Sequence, residues 1–173
     1  MSIYDNINLR KLESIKLHVE DNSKIIEDIV QAILKPYTKD LDEYILFIRD
    51  CLKDGENPVS DSELEDFCMN LSTYIYFVGG ACEQLGIRDD ISRAVWKEMY
   101  NTKRNELERG TVDDKNSAAE LASQQEQLTN ICYNRAYKIV KSKVENAQEL
   151  LQSCKKVLSR RMQEQQLTSM VVK

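Results

Sequence analysis

From Thr111 to about Gln166 the chain contains neither glycine nor proline, a run of more than fifty residues with nothing in it to stop a helix. At roughly 1.5 Å per residue such an element spans about 80 Å, longer than a compact domain of 173 residues is wide. Within it Tyr133, Tyr137, Val140, Val144, Ala147, Leu151, Cys154 and Leu158 follow one another at alternating steps of four and three. That is a heptad stripe, and a heptad stripe needs another helical surface to bury it. Two surfaces are available, the earlier helices of the same chain and a second copy, and both can hold at once. The helix outruns the others, and Leu150 and Val157 broaden its apolar face. Val140, Val144, Ala147, Leu151, Cys154 and Leu158 are therefore the expected oligomerisation positions.

The rest of the chain is also helical in pattern. Only 5 Gly and 2 Pro occur in 173 residues, and 42% are hydrophobic, so an all-α fold with a real core is expected. Leu12, Ile15, Val19, Ile26, Ile29 and Ile33 mark a first amphipathic helix that Pro36 is expected to close. Leu41, Tyr44, Ile45, Ile48 and Leu52 mark a second, ended by Asp54, Gly55, Asn57 and Pro58. Ser60 and Glu63 have the spacing of a capping box. A third helix starts there and passes through Gly79-Gly80 toward Leu85. Asp89 and Asp90 are expected to cap a fourth, carrying Ile91, Val95, Trp96 and Met99 and stopping at Gly110. Thr111 and Asp114 then open the fifth.

Charge divides the chain near residue 90. Residues 1–90 hold 9 Lys+Arg against 19 Asp+Glu, a net of −10, and residues 91–173 hold 15 against 10, a net of +5. The expected organisation follows this boundary: an acidic N-terminal helical bundle over 1–88, then a basic helical hairpin over 89–173 with one long C-terminal amphipathic helix. Between 133 and 161 there are eight cations against Glu145 and Glu149. Arg135, Lys138 and Lys141 fall within two turns there. Lys97, Lys103 and Arg104 add positive charge near Trp96 and Tyr100. Cations interleaved with aromatics suit a single-stranded nucleic acid, whose phosphates they neutralise while its bases stack. Core packing beside Val95 and Met99 is the competing role for Trp96.

Catalysis finds little support. The chain has a single histidine, His18, and no GxSxG, HExxH, P-loop or DxD pattern, so no catalytic residue and no cofactor is expected. Asp89-Asp90 and Asp113-Asp114 sit where helices are expected to begin, and capping explains them better than a metal. Five cysteines, odd in number and never in a CxxC, read as reduced thiols in helix cores. No segment has the roughly 18 consecutive apolar residues of a membrane span, and MSIYDNINLRKLE is polar where a secretion signal is apolar. A cytoplasmic protein without a membrane partner is expected, in the host cell cytoplasm if phage-encoded.

The segment from Trp96 to about Gln163, WKEMYNTKRNELERGTVDDKNSAAELASQQE followed by YNRAYKIVKSKVENAQELLQSCKKVLSRRMQ, is similar to the UvsY-type recombination mediator proteins of tailed phages. Members of that family are small helical proteins that form rings, bind single-stranded DNA and help a phage recombinase replace the single-strand-binding protein. The resemblance covers about 70 residues and matches Lys103 and Arg104 to the family's basic helix end. It matches Lys115 to the basic position after the turn, and Val140 to Leu158 to the oligomerising part. With the charge pattern it implies a non-catalytic, homo-oligomeric binder of single-stranded DNA or RNA that meets a recombinase or single-strand-binding protein. Its nucleic-acid contacts are expected at Lys97, Lys103, Arg104, Lys115, Arg135, Lys138 and Lys141. The alternative is an interaction protein whose acidic half mimics nucleic acid or recruits a basic partner, as an inhibitor of a nuclease or defence complex does.

Overall fold

The computed structural model describes residues 9–53, 58–107 and 109–171. Among them are four helices and no strand: α1 Leu9–Lys53, α2 Asp61–Glu106, α3 Val112–Ala122 and α4 Gln124–Val171. The fold is all-α. Asp54, Gly55 and Asn57, expected to turn the chain, lie outside the described residues, as does the Leu12 side chain.

Three helix boundaries differ from expectation, each for a local reason. Pro36 does not close a helix, because α1 passes through it. A proline inside a helix frees the carbonyl four residues back. Here Ala32 and Pro36 are both exposed, so that carbonyl faces solvent. On the opposite side Leu34, Thr38 and Leu41 are buried and hold the helix to its neighbours. Asp89 and Asp90 start no helix either. They lie in the middle of α2, whose 46 residues also run through Gly79-Gly80. The long C-terminal helix is interrupted once, at Ser123, where φ −104 and ψ 13 depart from helical values. The fully buried Ser123 hydroxyl donates to the Ala119 carbonyl at 2.8 Å, the same oxygen that accepts its backbone N–H at 3.0 Å. Serine back-bonding of this kind bends helices.

Both capping boxes form. The Glu63 N–H donates to Ser60 Oγ at 3.2 Å and the Ser60 N–H donates to Glu63 Oε2 at 2.7 Å. Thr111 and Asp114 repeat the arrangement at 3.2 and 3.0 Å. These bonds hold the Glu63 and Asp114 carboxyls below their ordinary pKa. The caps therefore contribute at neutral and mildly acidic pH and are lost as pH falls through the depressed values. Gly110, just before the second cap, has φ 117, a left-handed conformation that favours glycine.

α2 and α4 pair antiparallel along most of their lengths. Asp61 meets Arg161 at one end, Gly86 lies against the Tyr137 ring, and Asp89 meets Asn130 and Asn134 further on. A Cβ on Gly86 would stand 3.3 Å from Tyr137 Cε2, which explains glycine at that helical position. α1 lies across the pair, parallel to α4 and antiparallel to α2: Thr38 and Asp42 meet Lys143, while Tyr37 meets Arg88. Leu34, Leu41, Ile48, Leu71, Leu85 and Val140 are almost wholly buried at the centre. From residue 13 to 29 α1 is exposed apart from half-buried Ile26. The charge boundary drawn at residue 89 falls inside α2, so the acidic and basic blocks share one helix and one core.

Leu41→Ala and Leu85→Ala should each lower the urea unfolding free energy by about 2–5 kcal/mol, because each leaves a cavity among three helices. Pro36→Ala should be neutral or stabilising, since the helix is already formed there. A large loss with Pro36→Ala in the same titration contradicts the account of α1.

Candidate nucleic-acid interface

The α2–α4 pairing is pinned by a polar cluster around Asp89, whose side chain is 5% exposed. Its carboxylate accepts from Arg93 at 2.9 Å, from Asn130 Nδ2 at 3.1 Å and from Asn134 Nδ2 at 3.0 Å. Asn130 also donates to Ser92 Oγ at 3.0 Å, and Ser92 donates to the Asp89 carbonyl at 2.9 Å. A buried carboxylate is tolerated only when its lone pairs are matched in this way. Two asparagines a helical turn apart leave little freedom for α4 to slide along α2.

One and two turns beyond this cluster, α2 carries Trp96, Lys97, Tyr100 and Asn101. Together with Glu120 of α3 and Gln127 of α4 they line a cleft of about 240 Å³. Trp96 and Tyr100 are half-buried and Lys97 is exposed. The Tyr100 hydroxyl donates to Asn116 Oδ1 at 3.2 Å, which fixes the ring against α3. The cleft thus has aromatic walls, one cation, one carboxylate and amide groups, which together can stack on an unstacked base and hydrogen-bond its edge.

Gln127, Asn134 and Lys141 are seven residues apart and so lie on one line along α4, with exposed Lys138 beside Lys141. Arg93, Lys97 and Arg104 form a matching line on α2, at steps of four and seven. Lys141 faces the α2 side. Burial raises the Cys82 thiol pKa, and among the charges acting on that thiol Glu83 raises it further and Lys141 lowers it. On this flank Lys97 lines the cleft and Arg104 follows two turns along α2, while Lys138 and Lys141 follow Gln127 by 11 and 14 residues along α4, about 17 and 21 Å from it. None of the four takes part in an ion pair among the described residues.

The other expected positions lie elsewhere or are engaged. Arg135 lines a groove of about 580 Å³ between α1 and α4, with Ile26, Glu27 and Ile139. Lys103 pairs with Glu106 at 2.9 Å, and Lys115 is half-buried in the first turns of α3. Of the cations counted along α4, Lys143 pairs with Asp42, and Arg161 donates to the Val59 carbonyl at 2.6 Å and to Asp61 at 3.1 Å. All six expected oligomerisation positions are covered within one chain. Val140, Ala147, Leu151 and Cys154 are buried, and Val144 and Leu158 are half-buried. Packing on the chain's own helices accounts for their burial without a second copy. Arg93, Asn130 and Asn134, the partners of Asp89, escaped sequence reading because an arginine four residues after an aspartate is common on any helix and the asparagines are 41 and 45 residues away.

All five cysteines are free thiols, and burial raises the pKa of Cys68, Cys82, Cys132 and Cys154. No group of three or more His, Cys, Asp or Glu is placed to hold a metal among the described residues. No helix among them is long and apolar enough to cross a membrane. No protein-family model, curated protein or solved structure matches this chain.

Asp89→Ala removes the acceptor that Arg93, Asn130 and Asn134 share. It should cost about 2 kcal/mol in urea unfolding, the scale for leaving buried donors unmatched. Asp89→Asn retains one acceptor oxygen and should cost less. Equal stability of all three proteins shows that the cluster does not hold the hairpin.

Proposed function

We propose that this chain is a non-catalytic, single-stranded nucleic-acid-binding protein of the recombination mediator class, working beside a recombinase or single-strand-binding protein in the cytoplasm of a host cell. The observation that carries the reading is one flank with Lys97 in a cleft walled by Trp96 and Tyr100, Arg104 further along α2, and Lys138 and Lys141 further along α4, all four without ion-pair partners among the described residues. In this reading the lysines and Arg104 neutralise successive phosphates and release counterions, while one base enters the cleft and stacks on an aromatic face. Phosphate contacts carry no base information, so binding is insensitive to sequence. No reaction is assigned to the chain. The segment similar to UvsY-type mediators, Trp96 to about Gln163, contains these four cations and both aromatics, which supports the mediator reading.

The alternative, in which the acidic half imitates nucleic acid or recruits a basic partner, loses part of its charge to pairing within the fold. Asp42, Asp61 and Asp89 are paired with Lys143, Arg161 and Arg93, and Glu63 is committed to its cap.

Trp96 is the only tryptophan of the chain, so its fluorescence reports on the cleft directly. Titration with an unlabelled single-stranded oligonucleotide should change the Trp96 emission, and fluorescence anisotropy of a labelled strand should weaken steeply with salt. Lys138→Ala with Lys141→Ala should flatten the plot of log affinity against log salt by about 0.7 per lost contact. Arg135→Ala, in the α1–α4 groove, should have little effect. Absence of salt-sensitive binding to single-stranded DNA and RNA overturns the proposal and makes the acidic-half reading the leading one.

A further inference from the structure

α2 carries two apolar faces. One is the core face of Leu64, Phe67, Leu71, Val78 and Leu85. The other points away from the molecule and follows heptad steps of its own: Phe77, Gly80, Gln84, Ile87, Ile91 and Ala94, separated by three, four, three, four and three residues. No charged residue falls on this second seam. Phe77 is 68% exposed, Ile87 59% and Ile91 58%, and Tyr76, Met69 and Val95 widen the strip at 79, 71 and 46%. Between Tyr74 and Gly86 only Glu83 is charged; so apolar a stretch of helix normally belongs inside a structure, and here one side of it meets solvent.

The glycines point the same way. Gly79 and Gly80 lie in mid-helix, where a glycine costs about 0.5–1 kcal/mol relative to alanine. A Cβ at either position would meet nothing within 4 Å, so the chain's own packing makes no use of their smallness. Gly80 is in the seam, where a second helix can approach its backbone closely.

The exposed fractions of these six side chains amount to an apolar strip on the order of 700 Å², larger than the roughly 300–600 Å² of the largest patch on a typical monomer and close to the ~800 Å² per partner of a stable interface. The seam is fitted to itself. Laid parallel and in register with a second α2, the Phe77 layer stands next to the Gly80 layer, which gives the bulky rings room. Gln84 meets Gln84 of the copy at a central position, where a polar pair selects register. Glu83 and Arg88 flank the seam on opposite sides, five residues apart, the spacing at which parallel helices exchange ion pairs across a seam. Arg88 uses one of its five guanidinium donors on the Tyr37 hydroxyl, at 2.8 Å. An antiparallel copy would instead set Glu83 near Glu83 and Arg88 near Arg88.

We propose that the outer face of α2 is a dimerisation surface whose occupant is the same face of a second copy of this chain, parallel and in register through Phe77, Gly80, Gln84, Ile87 and Ile91. The dimer forms with or without nucleic acid on the α2–α4 flank.

Light scattering on the full chain, free of nucleic acid and at micromolar concentration, should give twice the 20.1 kDa chain mass. Ile87→Glu should give a single-chain mass with unchanged helical circular dichroism, because an unpaired charge buried on both sides of the axis weakens association by more than about a hundredfold. If that variant loses helicity, Gln84→Lys places a charge on the same seam and carries the same test. Glu83→Lys should weaken the dimer, and Glu83→Lys combined with Arg88→Glu should restore it. Under mild oxidation Gln84→Cys should give a covalent dimer that the unmodified chain, with its five native thiols, does not give. A single-chain mass for the unmodified protein overturns the proposal. So does a dimer that survives both Ile87→Glu and Gln84→Lys, or one in which Gln84→Cys fails to cross-link.

Discussion

A single buried carboxylate decides how the two longest packed helices of this protein meet. Asp89 is buried, and its side-chain oxygens find partners there only where Arg93, Asn130 and Asn134 reach them together. Hydrophobic stripes alone tolerate a slip of one heptad, since Leu and Val fit one another at several offsets. A carboxylate that must find two amides four residues apart does not. With that register set, Gly86 receives the Tyr137 ring, Asp61 reaches Arg161, and Gln127 comes opposite Trp96 and Tyr100. The cleft and the cation flank are thus consequences of the pairing around Asp89.

The same antiparallel arrangement changes the meaning of the charge division. In sequence the acidic and basic halves look like surfaces for two different partners. In the fold the acidic start of α2 runs beside the basic end of α4, and charges that looked free are spent on each other, as with Asp61 and Arg161 or Asp42 and Lys143. Exposed pairs add little stability, but they remove cations from the pool available to a polyanion. The flank that keeps its cations is the one farther along the hairpin, where α4 presents Lys138 and Lys141 and α2 presents Lys97 and Arg104.

α1 plays a different part. Its second half completes the core, and residues 13 to 29 extend largely uncovered along the side of α4. Arg135 faces that side, in the groove lined by Ile26 and Glu27. This separates it from Lys138, three residues away in sequence.

Much was legible from residues alone because it depends on short-range chemistry. The helical content followed from the scarcity of breakers, and the two capping boxes from side chains three residues apart that bond the same free amides. The helix through Gly79-Gly80 followed from periodicity. The heptad stripe on α4 was legible too, but its occupant was not, since a stripe specifies a helical neighbour without saying which. The passage of α1 through Pro36, the burial of Asp89 and the diversion of Arg135 into a groove required the tertiary structure. Each depends on a neighbour distant in sequence, as when Lys143 meets Asp42 across a separation of 101 residues. Local propensity fixes which segments are helical. Burial across long separations fixes which faces meet, and so which charges and aromatics remain for a partner.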